Sequence, residues 1–308
     1  MRFERSLVVL KNYLGDTVMA SPLVRSVAAI SDATDVLGAP VVEQLLRYPD
    51  FRVRFYDPGN LSNVRQLLKM SKQVREGRYE VAFVVNRSFR SALLVRLAGI
   101  KRCIGHATEG RGWLLTDRVP YDRHKNEADC YLDLFDTLGV SPDFKAPELY
   151  VSPEEKAVGR ELLAGATVGI QPGARHDYKQ VPIPVWREVG QILIRQGHKV
   201  AFFGGPEERG LLGELQFDGV DLVGKTNLRE TMAALSGLDL MIGGDTGVMH
   251  VAAAVGTPTI TAFGSTPADK WGWFAAPHQV VKAPEGNIAK LQAGALTESV
   301  ERVLCAQR

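Results

Sequence analysis

The sequence predicts an α/β protein with two domains, each built around a parallel sheet. Apolar runs of strand length alternate with helical patterns in both halves of the chain, which is typical of parallel sheets covered by helices. The alternation restarts near Pro147 and Pro153, and 308 residues suffice for two domains of ordinary size. We therefore expect an N-terminal domain over 1–150 and a C-terminal domain over 151–308, with a single large sheet as the structural alternative.

The N-terminal half opens with a predicted strand over 6–10. A tight turn at Gly15-Asp16 is expected next, followed by a helix over 18–30. The pattern then predicts a polar loop and amphipathic helix over 57–77, a strand over 80–85, and helices over 88–97 and 128–138, the last ended by Gly139.

The C-terminal half repeats this order. Its predicted strands are 168–171, 199–203 and 238–242, and its predicted helices are 153–163, 184–196, 207–215, 228–236 and 298–304. The closing helix belongs to this domain or packs back on the N-terminal domain, and the sequence leaves both open.

The stretch 238–266 is the most informative part of the chain. An apolar strand is expected to end at Gly243-Gly244, and Asp245 or Thr246 is expected to cap a helix that Gly256 ends. Such a loop presents free backbone N–H groups and the positive end of a helix dipole at the carboxyl edge of a sheet. Open α/β sheets bind phosphates at that position.

Composition and missing motifs exclude several classes of protein. Hydrophobic residues make up 45% of the chain and charged residues 23%, and no apolar run reaches the roughly 18–20 residues of a membrane span. No secretory signal pattern is present, so a cytoplasmic protein is expected. No dinucleotide glycine fingerprint occurs, which argues against an NAD-dependent oxidoreductase.

The cysteines and acidic residues predict no metal site. Cys103, Cys130 and Cys305 have neither metal-ligand spacing nor a close pair, and we expect three reduced thiols. No Asp-x-Asp occurs, which disfavours a glycosyltransferase that chelates its donor through a metal. A metal-free enzyme has to stabilise a leaving diphosphate with cations, helix dipoles and backbone N–H groups.

Positive charge is concentrated in one segment, although the net charge is only +2. Residues 47–102 contain 13 Lys or Arg and 4 Asp or Glu. This segment is either a solvated face or a surface for an anionic acceptor or an anionic membrane. No aromatic-interleaved motif supports nucleic-acid binding.

Motifs along nearly the whole chain resemble one known family. Asp245-Thr246-Gly247 with His250, Gly256-Thr-Pro258 and Phe263-Gly-Ser-Thr266 resemble the C-terminal signature of glycosyltransferase family 9, the ADP-heptose:lipopolysaccharide heptosyltransferases. Gly15-Asp16 with Ser21-Pro22 resembles the N-terminal loop of that family. Further matches, in family order, are Arg102-Cys-Ile-Gly105, 126–139, Gln171-Pro-Gly-Ala174 with Lys179, 203–208 and 223–228. The chain departs from the family pattern at Val181-Pro182, where Trp-Pro is usual.

The resemblance implies the GT-B architecture, with two Rossmann-like domains facing across a cleft. It implies an inverting, metal-independent transfer of heptose from ADP-heptose to a phosphorylated lipopolysaccharide inner-core acceptor. The donor would lie on the C-terminal domain and the acceptor on the basic N-terminal domain. No cofactor, no metal and no nucleic acid is expected, and peripheral association with the cytoplasmic face of the inner membrane is a further expectation.

Asp16 is the candidate catalytic base, since inversion needs a group that takes the proton of the acceptor hydroxyl. Position alone also allows Asp16 to be a helix cap, and the resemblance favours the catalytic role. Gly15, Arg87 and Arg90 are the candidate acceptor-binding residues. Lys179 is the candidate cation for the leaving diphosphate, with Arg175 as its substitute and a solvated loop lysine as the structural alternative.

The remaining candidates would bind the donor. They are Gly173, Glu207, Glu208, Asp245, Thr246, Gly247 and His250. In the family reading, Thr246 and backbone N–H groups bind phosphate, while Asp245 engages sugar hydroxyls. One carboxylate of Glu207 and Glu208 would accept from ribose hydroxyls. Asp245 as a plain cap, His250 as a core residue and the two glutamates as helix-start charges are the structural alternatives.

Two other functions stay open at the level of sequence. One is another nucleotide-sugar transferase or an epimerase of the same architecture. The other is a catalytically silent protein that binds nucleotide sugars, against which the presence of Asp16, Lys179 and Asp245 argues.

Overall fold

The computed structural model describes residues 2–50, 53–57, 62–273 and 277–305, and it divides into two compact units, Met1–Tyr150 and Val151–Arg308. Each unit contains a six-stranded sheet in which every pair of neighbouring strands is parallel. The predicted α/β class, with two parallel-sheet domains, is confirmed. No helix among the described residues is both long and apolar enough to cross a membrane.

The first unit alternates strands and helices from its first residues. Its strands are β1 (Phe3–Val9), β2 (Ser31–Leu37), β3 (Val53–Tyr56), β4 (Val81–Val84), β5 (Arg102–His106) and β6 (Asp117–Val119). Its helices are α1 (Leu14–Met19), α2 (Ser21–Ala29), α3 (Val41–Leu45), α4 (Val64–Glu76), α5 (Phe89–Leu97) and α6 (Glu127–Asp136). The strands lie in the order β3-β2-β1-β4-β5-β6.

The second unit repeats the alternation. Its strands are β7 (Val168–Gln171), β8 (Val200–Phe202), β9 (Val220–Asp221), β10 (Leu240–Gly244), β11 (Thr259–Phe263) and β12 (Gln279–Lys282). Its helices are α7 (Pro153–Leu163), α8 (Ile183–Arg195), α9 (Leu212–Leu215), α10 (Leu228–Leu235), α11 (Gly247–Ala254), α12 (Ala268–Trp271) and α13 (Ala293–Cys305). The order is β12-β11-β10-β7-β8-β9, and α13, the closing helix, packs against α8 of its own unit.

The strand order of both sheets reverses once, which creates one switch point in each unit. In the first unit the reversal lies between β1 and β4, and in the second between β7 and β10. Ligands of open α/β sheets bind in the crevice outside the carboxyl ends of the strands at such points. The loops that follow β1, β4, β7 and β10 are therefore the positions at which the fold presents side chains to a ligand.

Apolar helix faces cover both sheets and hold these loops in place. In the first unit Leu67, Met70 and Val74 of α4 pack in one buried cluster with Leu7 and Val84 of the sheet. In the second unit the buried cluster joins the strands to α8 and α13; its largest member is Trp186, which is fully buried. Burying such side chains contributes roughly 1.5–3 kcal/mol each.

The structure corrects the predicted turn at Gly15-Asp16. Both residues lie in the first turn of α1, and the chain bends earlier, at residues 12–13. Asp16 is not a cap, because Tyr13 occupies the cap position and caps nothing with its side chain. An acidic residue in the first turn of a helix is favoured by the helix dipole. The predicted helix over 18–30 is divided at Ala20, because Pro22 has no N–H to continue the backbone ladder.

The structure also corrects the end of the strand before the Asp-Thr-Gly loop. Gly243 and Gly244 continue β10, and Gly244 pairs with Ala262 of β11. A Cβ on Gly243 would lie 2.6 Å from Met249 Sδ, and a Cβ on Gly244 would lie 2.9 Å from the carbonyl oxygen of Lys179. The two glycines therefore let α11 and the turn at Lys179 approach the strand closely.

Candidate active site

A hydrogen-bonded cluster lies at the switch point of the first unit. Lys11, two residues after β1, places its Nζ 2.6 Å from Oδ1 of Asp16. Tyr131 of α6 donates its hydroxyl to the same Oδ1 at 2.7 Å. The side chain of Asp16 is only 12% exposed. Two charge-assisted hydrogen bonds to one oxygen hold a carboxylate in one orientation. The other oxygen of Asp16, Oδ2, takes part in neither contact.

Glu127 forms the second half of this cluster. Its side chain is fully buried, and Oε1 accepts from Lys11 Nζ at 2.8 Å while Oε2 accepts from the Tyr121 hydroxyl at 2.8 Å. Arg87, in the loop after β4, lies 3.7 Å from Oε1 and has its guanidinium 3.9 Å from the centre of the Tyr121 ring. Burial, followed by the charges of Asp16 and Glu127, raises the pKa of Tyr131, which therefore stays a hydrogen-bond donor.

A buried arginine fixes the loop that carries Arg87. The guanidinium of Arg111 is fully buried and donates to the carbonyl oxygens of Asn86, Ser88 and Val84. Its Nε also donates to the carbonyl oxygen of His106 at 2.9 Å. Burial lowers the pKa of Arg111 to about 10, so it stays charged at neutral pH. Charged donors to buried carbonyls give the loop after β4 a defined conformation.

An ion pair occupies the switch point of the second unit. Lys179, in the loop after β7, places Nζ 2.6 Å from Oδ2 of Asp245, which directly follows β10. Asp245 is 5% exposed and Lys179 is 22% exposed. Asp245 is therefore the partner of a cation and is not the cap of α11. Arg175, the substitute considered for Lys179, is exposed.

Thr246 occupies the N-cap position of α11 without capping the helix with its side chain. Its hydroxyl donates instead to Gln171 Oε1 at 2.5 Å, across the junction of β10 and β7. The first backbone N–H groups of α11, beginning at Gly247, thus donate no hydrogen bond to the cap side chain. These N–H groups and the helix dipole favour an anion at this end of the helix.

Glu208 and Glu207 are placed differently, although they are neighbours in sequence. Glu208 is half-buried against Gly173 and Gly204: a Cβ on Gly173 would lie 2.1 Å from Glu208 Oε1. Its Oε2 accepts from the backbone N–H of Gly205 at 2.7 Å, and burial raises its pKa. Glu207 is exposed. Glu208 therefore lies beside Gly173 in the loop after β7, whereas Glu207 is exposed.

His250 is buried in α11 and has a defined hydrogen-bond partner. Its Nδ1 accepts from the indole N–H of Trp273 at 3.0 Å. Because indole only donates, the neutral ring of His250 carries its proton on Nε2. The ring of Trp273 also meets His278 edge-on at 5.5 Å, and burial lowers the pKa of His278.

The predicted acceptor-side residues separate into two groups. Asp16, Gly15 and Arg87 belong to the cluster at the first switch point, whereas Arg90 is an exposed residue in the first turn of α5.

The basic segment 47–102 does not form one surface. Arg47 and Arg54 line a cavity of about 990 Å³ beside Asp32 and Asp35, on a different edge from Arg87. Arg52 lies outside the described residues.

Sequence reasoning missed several residues of both clusters. They are Lys11, Tyr121, Glu127 and Tyr131 in the first unit and Gln171 in the second. Lys11 carried a usable signal, because it follows a strand in the loop that carries Asp16. Glu127 and Tyr131 lie in the family-like segment 126–139, but nothing in the sequence joined them to this cluster, since their contacts with Lys11 and Asp16 span more than 100 positions.

Comparison with known proteins establishes the family. The model of glycosyltransferase family 9 (heptosyltransferase) matches residues 67–300, about three quarters of the chain. The chain belongs to glycosyltransferase family 9. It is 28% identical over 291 residues to lipopolysaccharide heptosyltransferase 2 of Escherichia coli, with 85% of this chain and 83% of that protein covered. It is 28% identical over 249 residues to lipooligosaccharide heptosyltransferase 2 of Haemophilus influenzae, with 73% and 72% covered.

The structural comparison agrees with this membership. The solved structure of E. coli ADP-heptose LPS heptosyltransferase II matches with a TM-score of 0.83 at 23% sequence identity, covering 98% of this chain and 99% of that chain. The predicted fold class, GT-B with two Rossmann-like domains, is confirmed, as is the prediction of a glycosyltransferase. Among the residues that the structure describes, no group of three or more His, Cys, Asp or Glu side chains is arranged to hold a metal ion.

Proposed function

We propose that this family 9 protein transfers heptose from ADP-heptose to a phosphorylated inner-core lipopolysaccharide acceptor, with inversion and without a metal. The proposal rests on two complementary groups, one at the switch point of each unit. An oriented carboxylate, Asp16, follows β1, and a cation, Lys179, lies with an uncapped helix N-terminus beside β7 and β10. The first group suits proton removal, and the second suits a leaving diphosphate.

The donor side of the proposal uses the second unit. Lys179, Thr246 and the N–H groups from Gly247 onward would stabilise the diphosphate of ADP as it leaves. His250, with its proton on Nε2, would donate to a phosphate oxygen, and Glu208 would accept from ribose hydroxyls. Asp245 would hold Lys179 and engage the sugar. The curated relative in E. coli is a lipopolysaccharide heptosyltransferase, and a solved family structure holds ADP-2-deoxy-2-fluoro heptose.

The acceptor side uses the first unit. Oδ2 of Asp16 would take the proton of the acceptor hydroxyl as its oxygen attacks the anomeric carbon from the face opposite ADP. This displacement inverts the anomeric configuration. Arg87 would attract the phosphate groups of the acceptor, together with the exposed Arg90. Access to a lipid-linked acceptor would bring the protein to the cytoplasmic face of the inner membrane as a peripheral protein.

The proposal is tested by ADP release from ADP-heptose, measured with and without a deacylated inner-core acceptor. We expect release that depends on the acceptor, and a product whose new anomeric centre is inverted by NMR. Measurable ADP-heptose binding with no release would favour a different acceptor or a silent binding protein. Release with retained configuration would overturn the inverting mechanism.

The two neighbouring glutamates provide a matched pair for the donor site. Glu208→Gln is expected to weaken ADP binding by about 1 kcal/mol, because a neutral amide is a weaker acceptor for ribose hydroxyls than a carboxylate. Glu207→Gln is expected to leave binding unchanged, since Glu207 is exposed. Isothermal titration with ADP measures both. No loss in Glu208→Gln, or an equal loss in Glu207→Gln, would contradict the assignment of the ribose contact to Glu208.

Metal independence gives a separate prediction. Transfer is expected to proceed at an unchanged rate in excess EDTA, because Lys179 and the α11 N-terminus supply the positive charge that a divalent cation would supply. The measurement is the initial rate of ADP release before and after dialysis against EDTA. Loss of activity that Mg²⁺ or Mn²⁺ restores would contradict the metal-free mechanism.

A further inference from the structure

Glu127 lacks a role in the proposed transfer, yet it is the most buried charged group of the cluster around Asp16. A fully buried carboxylate is costly unless cations and donors surround it. Glu127 meets that condition with Lys11 at 2.8 Å, the Tyr121 hydroxyl at 2.8 Å and Arg87 at 3.7 Å. Replacing it with an apolar residue of similar volume would be the simpler way to fill this space. A charged residue at this buried position points to a task that involves its charge.

We propose that Glu127 is a positioning residue that shares the Lys11 ammonium with Asp16 and so keeps Asp16 effective as a base. The inference rests on the proposed function, in which Asp16 removes the proton of the acceptor hydroxyl. One ammonium lies 2.6 Å from Asp16 Oδ1 and 2.8 Å from Glu127 Oε1. If Asp16 alone held that charge, its carboxylate would be stabilised more strongly and would accept a proton less readily.

The contacts explain why this arrangement is directional. Lys11 and Tyr131 both contact Oδ1 of Asp16, and Glu127 restrains Lys11 through a second contact with its Nζ. Restrained in this way, the ammonium stays at Oδ1 and leaves Oδ2 outside its contact. Tyr121 fixes the other oxygen of Glu127, so the carboxylate itself has a defined orientation.

The charged and titratable groups near Asp16 come from several elements. In chain order they are Lys11, Arg87, Tyr121, Glu127 and Tyr131. His106 meets Tyr121 edge-on, and burial lowers its pKa. Of the other helices packed against α1, α2 contributes Arg25, which pairs with Glu148, and α3 contributes Glu43, which is exposed.

Two variants shift the charge balance at Asp16 in opposite directions. Glu127→Gln removes a neighbouring negative charge, which favours the ionised form of Asp16. The acidic limb of the pH–rate profile is then expected about one pH unit lower, with kcat about three- to tenfold lower and the KM for ADP-heptose unchanged. Tyr131→Phe removes a donor to Asp16, so its acidic limb is expected at higher pH.

Asp129→Asn is the matched control. Asp129 lies in the first turn of α6 with Glu127, but it is exposed. The substitution removes one negative charge from the same helix turn, and we expect an unchanged pH–rate profile. A loss of kcat in Glu127→Gln without movement of the acidic limb, or movement in the same direction as Tyr131→Phe, would reduce Glu127 to a structural residue and overturn the proposal.

A second measurement does not depend on transfer. Protein labelled with ¹³C at the aspartate carboxyl carbon gives one signal that is lost in Asp16→Asn, which assigns it. Its titration is expected to move to lower pH in Glu127→Gln and to higher pH in Tyr131→Phe. These shifts in a protein that does not release ADP from ADP-heptose would refute the proposed function while supporting the role of Glu127. An unchanged titration of Asp16 in an enzyme that transfers heptose would refute the role of Glu127 and leave the proposed function standing.

Discussion

Asp16→Ala is expected to abolish acceptor-dependent release of ADP from ADP-heptose while leaving ADP binding nearly unchanged. Loss of a general base costs about a hundredfold to ten-thousandfold in rate. The residue follows β1 at the switch point and has one oxygen, Oδ1, occupied by two donors. No group among its described partners replaces it as a base: Lys11 is a cation, and the pKa of Tyr131 is raised by burial.

The structure indicates why this variant should still fold. Removing Asp16 leaves Lys11 paired with Glu127 at 2.8 Å, so no buried ammonium loses its only counter-ion. Asp16→Asn keeps the volume and the Oδ1 acceptor and serves as the second variant. Thermal unfolding and titration with ADP check that both remain native. Transfer at the wild-type rate in either variant, with the fold intact, would remove Asp16 as the base.

The sequence was sufficient for the fold class because its strongest signals are local. The strand Val168–Gln171 and the helix Pro153–Leu163 begin and end where their patterns predict. A short apolar run marks the strand, and a capping box at Ser152 and Glu155 marks the start of the helix. Strand β2 was missed because its sequence, Ser31-Asp-Ala-Thr-Asp-Val-Leu37, is largely polar. Its place between β1 and β3 determines its conformation, and that pairing is not visible in the segment itself.

The site was predictable where a side chain adjoins the end of a strand. Asp16 and Asp245 were chosen as candidates in this way, and the structure places each at a switch point. The partners that set their chemistry were not found from sequence. From α6, Tyr131 reaches Asp16 and Glu127 reaches Lys11, and Gln171 reaches Thr246 from β7. The packing of α6 against α1 and the pairing of β7 with β10 bring these residues together.

Lys179→Ala is expected to lower kcat/KM for ADP-heptose by about 30- to 1000-fold, which corresponds to about 2–4 kcal/mol of transition-state stabilisation. The loss should fall on kcat as well as on binding, because negative charge on the diphosphate grows as the glycosidic bond breaks. Lys179→Arg keeps the charge and is expected to retain part of the activity. Arg175→Ala, which removes an exposed cation from the same loop, should have little effect.

A structural cause has to be separated from this catalytic one. Lys179→Ala also leaves Asp245, which is 5% exposed, without its ion-pair partner, and an unpaired buried carboxylate both destabilises the fold and repels a phosphate. The double variant Lys179→Ala, Asp245→Asn removes that carboxylate charge. If the cation acts on the diphosphate, the double variant stays well below the wild type in kcat/KM, even where its thermal stability recovers. Recovery of kcat/KM together with stability would instead mean that Lys179 serves only to neutralise Asp245, and the positive charge for the leaving diphosphate would then have to come from the N–H groups of α11.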